Sequence, residues 1–169
     1  AAPVIGTITQ SKADIVVPFD MVIGNDGADK VVVTMTDEAG KTVDSKNYAM
    51  EGENGKVTFT PSKSGKYTFV VNAVRDGEAD KACAEAKNFD YVLPLATTTI
   101  GSVYSKGNGV IAIEWSAVDE ADSYTVEYTA DGKNWTSTDA GNNTEATVSG
   151  LTVDTKYTVR VITNRGEEK

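Results

Sequence analysis

The chain has 169 residues, a formal net charge of −9 and no histidine. Without clustered Lys and Arg it is unsuited to nucleic acid, which is bound mainly through its phosphates, and without histidine it cannot carry Ser-His-Asp or Cys-His catalysis or histidine-ligated zinc. A single cysteine, Cys83, excludes an internal disulfide, and no apolar run is long enough to cross a bilayer.

The first half of the chain is predicted to form short β-strands separated by turn residues. Residues 4–9 predict a first edge strand. Ile15, Val17 and Phe19 then alternate on one face, and Pro18 points to the other face, where an edge strand or a bulge tolerates proline. Later segments repeat this period of two with the inward sets Val31, Val33 and Met35; Val57 and Phe59; and Tyr67, Phe69, Val71 and Ala73.

One motif in this half carries a family resemblance. Residues 59–73 read F-T-P-S-K-S-G-K-Y-T-F-V-V-N-A. The segment resembles the end of PKD-like and other bacterial immunoglobulin-like domains, which carry F-x-P-x-x-x-G-x-Y at a corner between strands. The resemblance implies a seven-strand β-sandwich over residues 1–94.

Residues 79–92 support two interpretations. Ala79, Ala82, Cys83 and Ala86 lie at helical spacing, and Ala, Glu and Lys favour helix. The alternative is a last strand that pairs with residues 67–74 across an Asp-Gly turn. We favour the strand, because a sandwich needs it and the turn supplies the hairpin.

The second half has a denser pattern of alternating aromatic and β-branched residues. The alternating sets are Ile111, Ile113 and Trp115; Tyr124, Val126 and Tyr128; and Tyr157, Val159 and Val161. An Asp-Gly turn follows the second set, and the third begins within the motif G-L-T-V-D-T-K-Y-T-V at residues 150–159. Over residues 97–165 the pattern resembles a fibronectin type III domain, with Val153 where that family usually has proline.

The two resemblances together imply an all-β chain of two tandem β-sandwiches. An immunoglobulin-like domain would occupy residues 1–94 and a fibronectin type III-like domain residues 95–169. By analogy with the tyrosine corner of sandwich domains, Tyr157 is expected to make a hydrogen bond with backbone near the preceding turn. The predicted structural core residues are Trp115, Tyr124, Leu151, Tyr157, Phe59 and Tyr67.

A seventh strand is missing from the fibronectin-like pattern. The sixth strand ends near Thr163, and six residues follow it, too few for a turn and another strand. We therefore expect the natural polypeptide to continue. If the chain is stable as it stands, the bare edge would be covered by residues 97–104, by a neighbouring molecule or by a dimer contact.

Candidate catalytic and metal residues all have a simpler structural explanation. Asp119, Glu120 and Asp122 form an acidic loop, but a carboxylate acts as an acid or base only where a pocket shifts its pKa. Asn25, Asp26 and Asp29 offer oxygen ligands to calcium, yet Asn and Asp are common in turns for backbone reasons. The chain is therefore predicted to be neither an enzyme nor a cofactor or metal protein.

Carbohydrate binding would need exposed aromatic side chains. Trp135 is the leading candidate, and Tyr104 and Tyr48 are weaker ones. Because large aromatic residues are costly to expose without use, the favoured interpretation of Trp135 is packing at the rim of the sandwich.

The resemblances imply accessory modules of a larger secreted or surface-attached bacterial protein, such as a carbohydrate-active enzyme or an adhesin. The expected partners are other domains of the same polypeptide, with a polysaccharide or a surface protein as further candidates. The alternative is a carbohydrate-binding module that uses exposed aromatic residues such as Trp135.

Overall fold

The computed structural model describes residues 2–21, 28–50, 52, 54–75, 81–83 and 85–166, and none of these residues is helical. The chain divides into two compact units, Ala1–Pro94 and Leu95–Lys169. Each unit has two antiparallel sheets whose inward side chains form one core. The predicted all-β fold is confirmed.

The described residues of the first unit form nine strands in two sheets. One sheet has β3 at its centre with β1, β2 and β6 paired to it, and the other has the order β5-β4-β7 with β8 and β9 paired to β7. The strands are β1 (Val4–Ile5), β2 (Thr9–Ser11), β3 (Asp14–Asp20), β4 (Lys30–Thr36), β5 (Thr42–Ala49), β6 (Asn54–Phe59), β7 (Gly65–Val74), β8 (Lys81–Ala82) and β9 (Lys87–Tyr91).

The expected first edge strand is broken into β1 and β2, which share one edge of β3 because β6 occupies the other. The break coincides with Pro18. The Gly6 N–H donates to the Pro18 carbonyl at 2.9 Å, but proline has no N–H with which to return a bond. Pro18 thus lies in a central strand, contrary to the expectation of an edge or bulge, and the interrupted edge strand accommodates it.

The described part of residues 79–92 is extended, as favoured from the sequence. Both β8 and β9 pair with β7, β8 at Asn72–Ala73 and β9 at Gly65–Phe69. The Asp-Gly turn expected before them lies outside the described residues. When β1 with β2 and β8 with β9 are each counted as one interrupted strand, the described residues of the first unit form seven strands, the number that the sequence predicts.

The core of the first unit contains every residue of the predicted inward sets. All of these side chains are buried, including Phe59 and Tyr67. The Phe59 and Phe69 rings, which come from opposite sheets, lie 5.5 Å apart between centroids. This contact between the sheets is what a sandwich core requires.

Within residues 95–166, the second unit has six strands in two three-stranded sheets, with the orders β10-β11-β14 and β13-β12-β15. Trp115 and Tyr124, one from each sheet, are buried with ring centroids 5.6 Å apart. The strands are β10 (Ile100–Gly107), β11 (Val110–Trp115), β12 (Ser123–Thr129), β13 (Thr136–Gly141), β14 (Glu145–Val148) and β15 (Thr158–Asn164).

Candidate functional site

Trp135 lies just before β13, and its ring faces the guanidinium of Arg160 on β15. The guanidinium carbon is 4.0 Å from the ring centroid, a cation–π distance. Arg160 is held there by Glu127, because its Nε donates to Oε2 of that residue at 2.6 Å. Ser137 donates to the other oxygen of Glu127 at 3.0 Å. One face of the half-buried indole is therefore occupied by a side chain of the same unit.

The turn before Trp135 is organised by the carboxylate of Asp131. Its Oδ1 accepts the backbone N–H groups of Lys133 and Asn134, both at 2.8 Å, and its Oδ2 accepts the Asn134 side-chain amide at 2.6 Å. The backbone bonds from Asn134 and Lys133, followed by the side-chain bonds from Asn134 and Thr129, hold the pKa of Asp131 well below its usual range. Hydrogen bonds to a carboxylate favour its charged form.

This turn predicts an acid-sensitive contribution to the stability of the second unit. Because the folded pKa of Asp131 lies below the unfolded value of about 3.9, its contribution is complete above that pH and is lost as the pH falls through the folded pKa. We expect Asp131→Ala to lower the unfolding midpoint at neutral pH by more than it does at about pH 3. Denaturant unfolding at both pH values measures the difference.

Asp119→Ala is the control, since it removes the same charge from another exposed loop of this unit. If the cost of Asp131→Ala does not change with pH, the hydrogen-bonded carboxylate is not the cause.

Tyr104 lies in a groove on the outer face of the β10-β11-β14 sheet, with 48% of its surface exposed. The register places it opposite Ala112, which in turn is opposite Thr147. Ala112 is buried although it points outward, because larger neighbours surround it. The groove has a volume of about 310 Å³.

The lining of this groove is mainly polar. Glu114 and Glu145 are directly opposite each other on neighbouring strands, an arrangement of like charges that destabilises a sheet. Ser102 donates to Glu114 Oε2 at 3.0 Å, and Lys106 and Asn143 complete the polar lining. The groove thus combines one exposed aromatic ring with several hydrogen-bonding groups.

Tyr48 has a different role from Tyr104. It is half-buried on β5, and its ring meets Phe19 edge to face, with centroids 5.3 Å apart. Both rings lie over Gly55, where a Cβ would come within 2.7 Å of Phe19 and 2.8 Å of Tyr48. Tyr48 therefore packs at the edge of the core of the first unit.

The tyrosine corner expected at Tyr157 is confirmed, since the Thr152 N–H donates to its hydroxyl at 3.1 Å. The first unit has an equivalent at the corner expected from the F-x-P-x-x-x-G-x-Y motif, in which the Tyr67 hydroxyl donates to the Lys63 carbonyl at 2.9 Å. Leu151 is half-buried and packs against the second core. Tyr157 is half-buried and is not part of that core, and its ring instead lies edge to face with Tyr128, with centroids 6.3 Å apart.

The comparisons with known proteins agree with this geometry. Residues 102–169 match the family model of the fibronectin type III domain. This part of the chain is a fibronectin type III domain. The match lies wholly within the second unit, so the PKD-like resemblance of the first unit stays a prediction.

Two solved structures from chicken have related folds. A segment of two fibronectin type-III domains from tenascin is 16% identical to the chain, with a TM-score of 0.57, and the alignment covers 99% of this chain and 94% of that one. At this identity the likeness shows the fold alone. The FN1–FN3 domains of CNTN1 are 15% identical, with a TM-score of 0.39 and coverage of 96% and 60%. No curated protein matches the chain.

The acidic loop of the fibronectin domain is tied to the end of β15. Glu120 forms an ion pair with Arg165 at 2.9 Å, and the Asp122 carboxylate accepts the Gly166 N–H at 2.7 Å. Both partners of the ion pair are largely shielded from solvent. Two of the three catalytic candidates therefore hold the loop in place, and the third, Asp119, is exposed.

The metal and thiol candidates give no assembled site in the described part of the chain. Asn25 and Asp26 lie outside the described residues, and the Asp29 N–H donates to the Val74 carbonyl at 2.9 Å. Within the described ranges no three Asp, Glu, Cys or His residues converge as metal ligands. Cys83 is half-buried, and its sulfur accepts the Val71 N–H at 3.4 Å. The same ranges contain no helix that could span a bilayer.

Proposed function

We propose that the chain is a non-catalytic pair of β-sandwich modules, acting as a spacer or an interaction surface within a larger secreted or surface-attached bacterial protein. A carbohydrate-active enzyme or an adhesin is the kind of protein that would carry it. The observation that best supports a non-catalytic role is the use of Glu120 and Asp122, which bind Arg165 and the Gly166 backbone. A carboxylate committed to such bonds is a poor candidate for a general acid or base.

We infer that residues 1–94 form an immunoglobulin-like, PKD-like domain and that residues 95–169 are a separate fibronectin module. The seven effective strands of the first unit, its two sheets and the Tyr67–Lys63 hydrogen bond support this inference. Two cores that contain no residue in common support separate modules.

Carbohydrate binding is the second candidate function, and the groove at Tyr104 favours it. Sugars are bound by an aromatic face together with hydroxyl, amide and carboxylate groups. Tyr104 supplies an exposed ring, and Thr147, Asn143 and the two glutamates supply the polar groups. Trp135, the leading candidate from the sequence, is less suited because Arg160 covers one face of its ring.

A glycan array probed with the purified chain distinguishes the two functions. The spacer proposal predicts no glycan-specific binding. If a glycan does bind, we expect Tyr104→Ala to lower its affinity at least about tenfold, which corresponds to about 1.4 kcal/mol. Tyr104→Phe keeps the ring and is the matched control, expected to retain most of the binding.

Glycan binding that survives Tyr104→Ala but is lost in Trp135→Ala would show that the site lies at Trp135, beside the β13-β12-β15 sheet, and not in the Tyr104 groove. Hydrolysis of any array glycan would contradict both proposals.

A further inference from the structure

A groove on the first unit is bordered by two turns. One turn is residues 37–41, which join β4 to β5, and the other is residues 60–64, which join β6 to β7. The groove has a volume of about 600 Å³, within the range of roughly 300–1,000 Å³ that is usual for small-ligand sites. Its lining contains Lys41, Lys63 and Lys66. We call it the lysine groove, and none of the three candidate aromatic residues lines it.

The first wall of the lysine groove is held in shape by Asp37. Its Oδ1 accepts the backbone N–H groups of Ala39 at 3.0 Å and of Lys41 at 2.9 Å. The Asp37 N–H also donates to the Lys41 carbonyl at 2.9 Å. An aspartate that bonds to the backbone of its own turn fixes the course of that turn. The Lys41 side chain therefore extends into the groove from an ordered backbone.

The second wall of the lysine groove is anchored to the core of the first unit. The hydroxyl of the buried Tyr67 donates to the Lys63 carbonyl at 2.9 Å. The next residue is held as well, since the Ser64 hydroxyl accepts the Leu93 N–H at 2.8 Å. The backbone that carries Lys63 is thus fixed at two successive residues. Both walls exist before any ligand arrives, which lowers the ordering cost of binding.

The lysine groove has an excess of positive charge in an acidic chain. Acidic residues outnumber Lys and Arg by 25 to 16 in the whole sequence, whereas three lysines and only Asp37 and Glu38 line the groove. Lys66 lies 3.9 Å from the exposed Asp90, a pair of little energetic value. Within the described ranges, Lys41 and Lys63 form no ion pair. Two ammonium groups are therefore available to an anionic ligand.

We propose that the lysine groove binds an acidic oligosaccharide, with carboxylates of the sugar against the ammonium groups of Lys41 and Lys63. Such pairs form short, charge-assisted hydrogen bonds. The exposed Ser62 hydroxyl offers a hydrogen bond to a sugar hydroxyl, and Val43, which is 47% exposed, offers an apolar contact to a sugar ring. A groove of this volume would be mostly empty around a single inorganic anion. The proposal rests on the interaction-surface form of the function proposed above and assigns that surface to the first unit.

An acidic peptide is the alternative ligand, and the groove favours it less. A peptide is commonly bound as an added strand, through the N–H and C=O groups of a free strand edge. The pairing of β4 with β7 ends at Thr36 opposite Thr68. Only residues 65–67 of β7 therefore border the groove beyond that pairing, fewer than the roughly five to six residues of a usual strand. The groove thus offers side-chain groups to a ligand and little backbone.

Isothermal titration calorimetry of the full chain with trigalacturonate, at about 0.15 M salt, tests the proposal, because acidic residues beyond about 8 Å are then largely screened. We expect binding of trigalacturonate and none of the neutral galactotriose. The double variant Lys41→Gln/Lys63→Gln should weaken binding at least about tenfold, since it removes both charge-assisted hydrogen bonds. The matched control is Lys12→Gln/Lys56→Gln, which removes two exposed lysines outside the groove and should bind like the unmodified chain.

A variant of opposite effect and the position of the ligand complete the test. Glu38→Gln should strengthen binding about two- to fivefold, because it removes a negative charge from the lining. Amide chemical shifts should change in residues 37–43 and 61–66. No binding of trigalacturonate, or equal binding by the lysine double variant, overturns the proposal and leaves the spacer function intact. Triglutamate that binds as tightly would show that the groove recognises charge and not a sugar. Shifts confined to residues around Tyr104 would overturn the proposal in favour of that groove.

Discussion

Trp115→Ala is expected to destabilise the fibronectin domain by about 3–5 kcal/mol, the usual cost of removing a large buried aromatic side chain. Trp115 is 5% exposed and packs against Tyr124 in the middle of the core. Both tryptophans of the chain lie in this domain, so Trp135 fluorescence reports the unfolding of the variant. Urea titration gives the loss in the free energy of unfolding.

Two further variants test whether the destabilisation comes from the burial of Trp115 or from the removal of any tryptophan. Trp135 is half-buried and contacts Arg160, so Trp135→Ala should cost only about 1 kcal/mol. Trp115 Nε1 is buried without a hydrogen-bond partner in the described part of the chain. Because Trp115→Phe removes that unsatisfied group and leaves a smaller cavity, it should cost less than Trp115→Ala. If Trp115→Ala and Trp135→Ala lower the free energy of unfolding equally, the assignment of Trp115 to the core is wrong.

Gly109→Ala is expected to cost more than about 4 kcal/mol, a loss that marks a specific structural conflict. Gly109 has φ +70°, and a Cβ there would overlap the backbone carbonyl of Leu151. The Leu151 N–H also donates to the Gly109 carbonyl at 3.0 Å. Since backbone atoms cannot turn aside as a flexible side chain can, the alanine would separate the β10–β11 turn from the segment before Tyr157. Tryptophan fluorescence during urea unfolding measures the effect.

Gly107→Ala is the matched control in the same turn. Gly107 has φ +83°, but a Cβ there meets no other atom within 4 Å. Only the left-handed backbone is then penalised, at about 1–2 kcal/mol. If the two substitutions lower the free energy of unfolding equally, backbone conformation alone explains both losses. The close approach of Leu151 to Gly109 then contributes nothing to the loss.

Local patterns in the sequence are sufficient to predict the strands and the inward side chains. Alternation of apolar residues marks β3, β4, β7, β11 and β12, because side chains of a strand point to opposite faces at a period of two. The same reasoning assigns Trp115 and Tyr124 to the core, whereas the backbone hydrogen bond of Tyr157 was expected by analogy with the tyrosine corner. Local spacing in residues 79–92 fits a helix, and the strand that the structure has in the described part was favoured because a sandwich needs it.

The exposure of the three candidate aromatic side chains depends on residues distant in sequence, which no local pattern shows. The sequence alone does not show which of Trp135, Tyr104 and Tyr48 has an exposed ring. Arg160 covers one face of Trp135, Phe19 and Gly55 hold Tyr48, and the groove leaves Tyr104 exposed.

By itself, the sequence determined that this chain is all-β, that its two halves have separate inward sets, and that its second half has the fibronectin type III pattern. These are properties of local periodicity and turn chemistry, which act over a few residues. Only the tertiary structure decided that Pro18 lies in a central strand and that the acidic loop binds Arg165. Those facts depend on which strands are neighbours, and strand pairing joins residues that no local pattern connects.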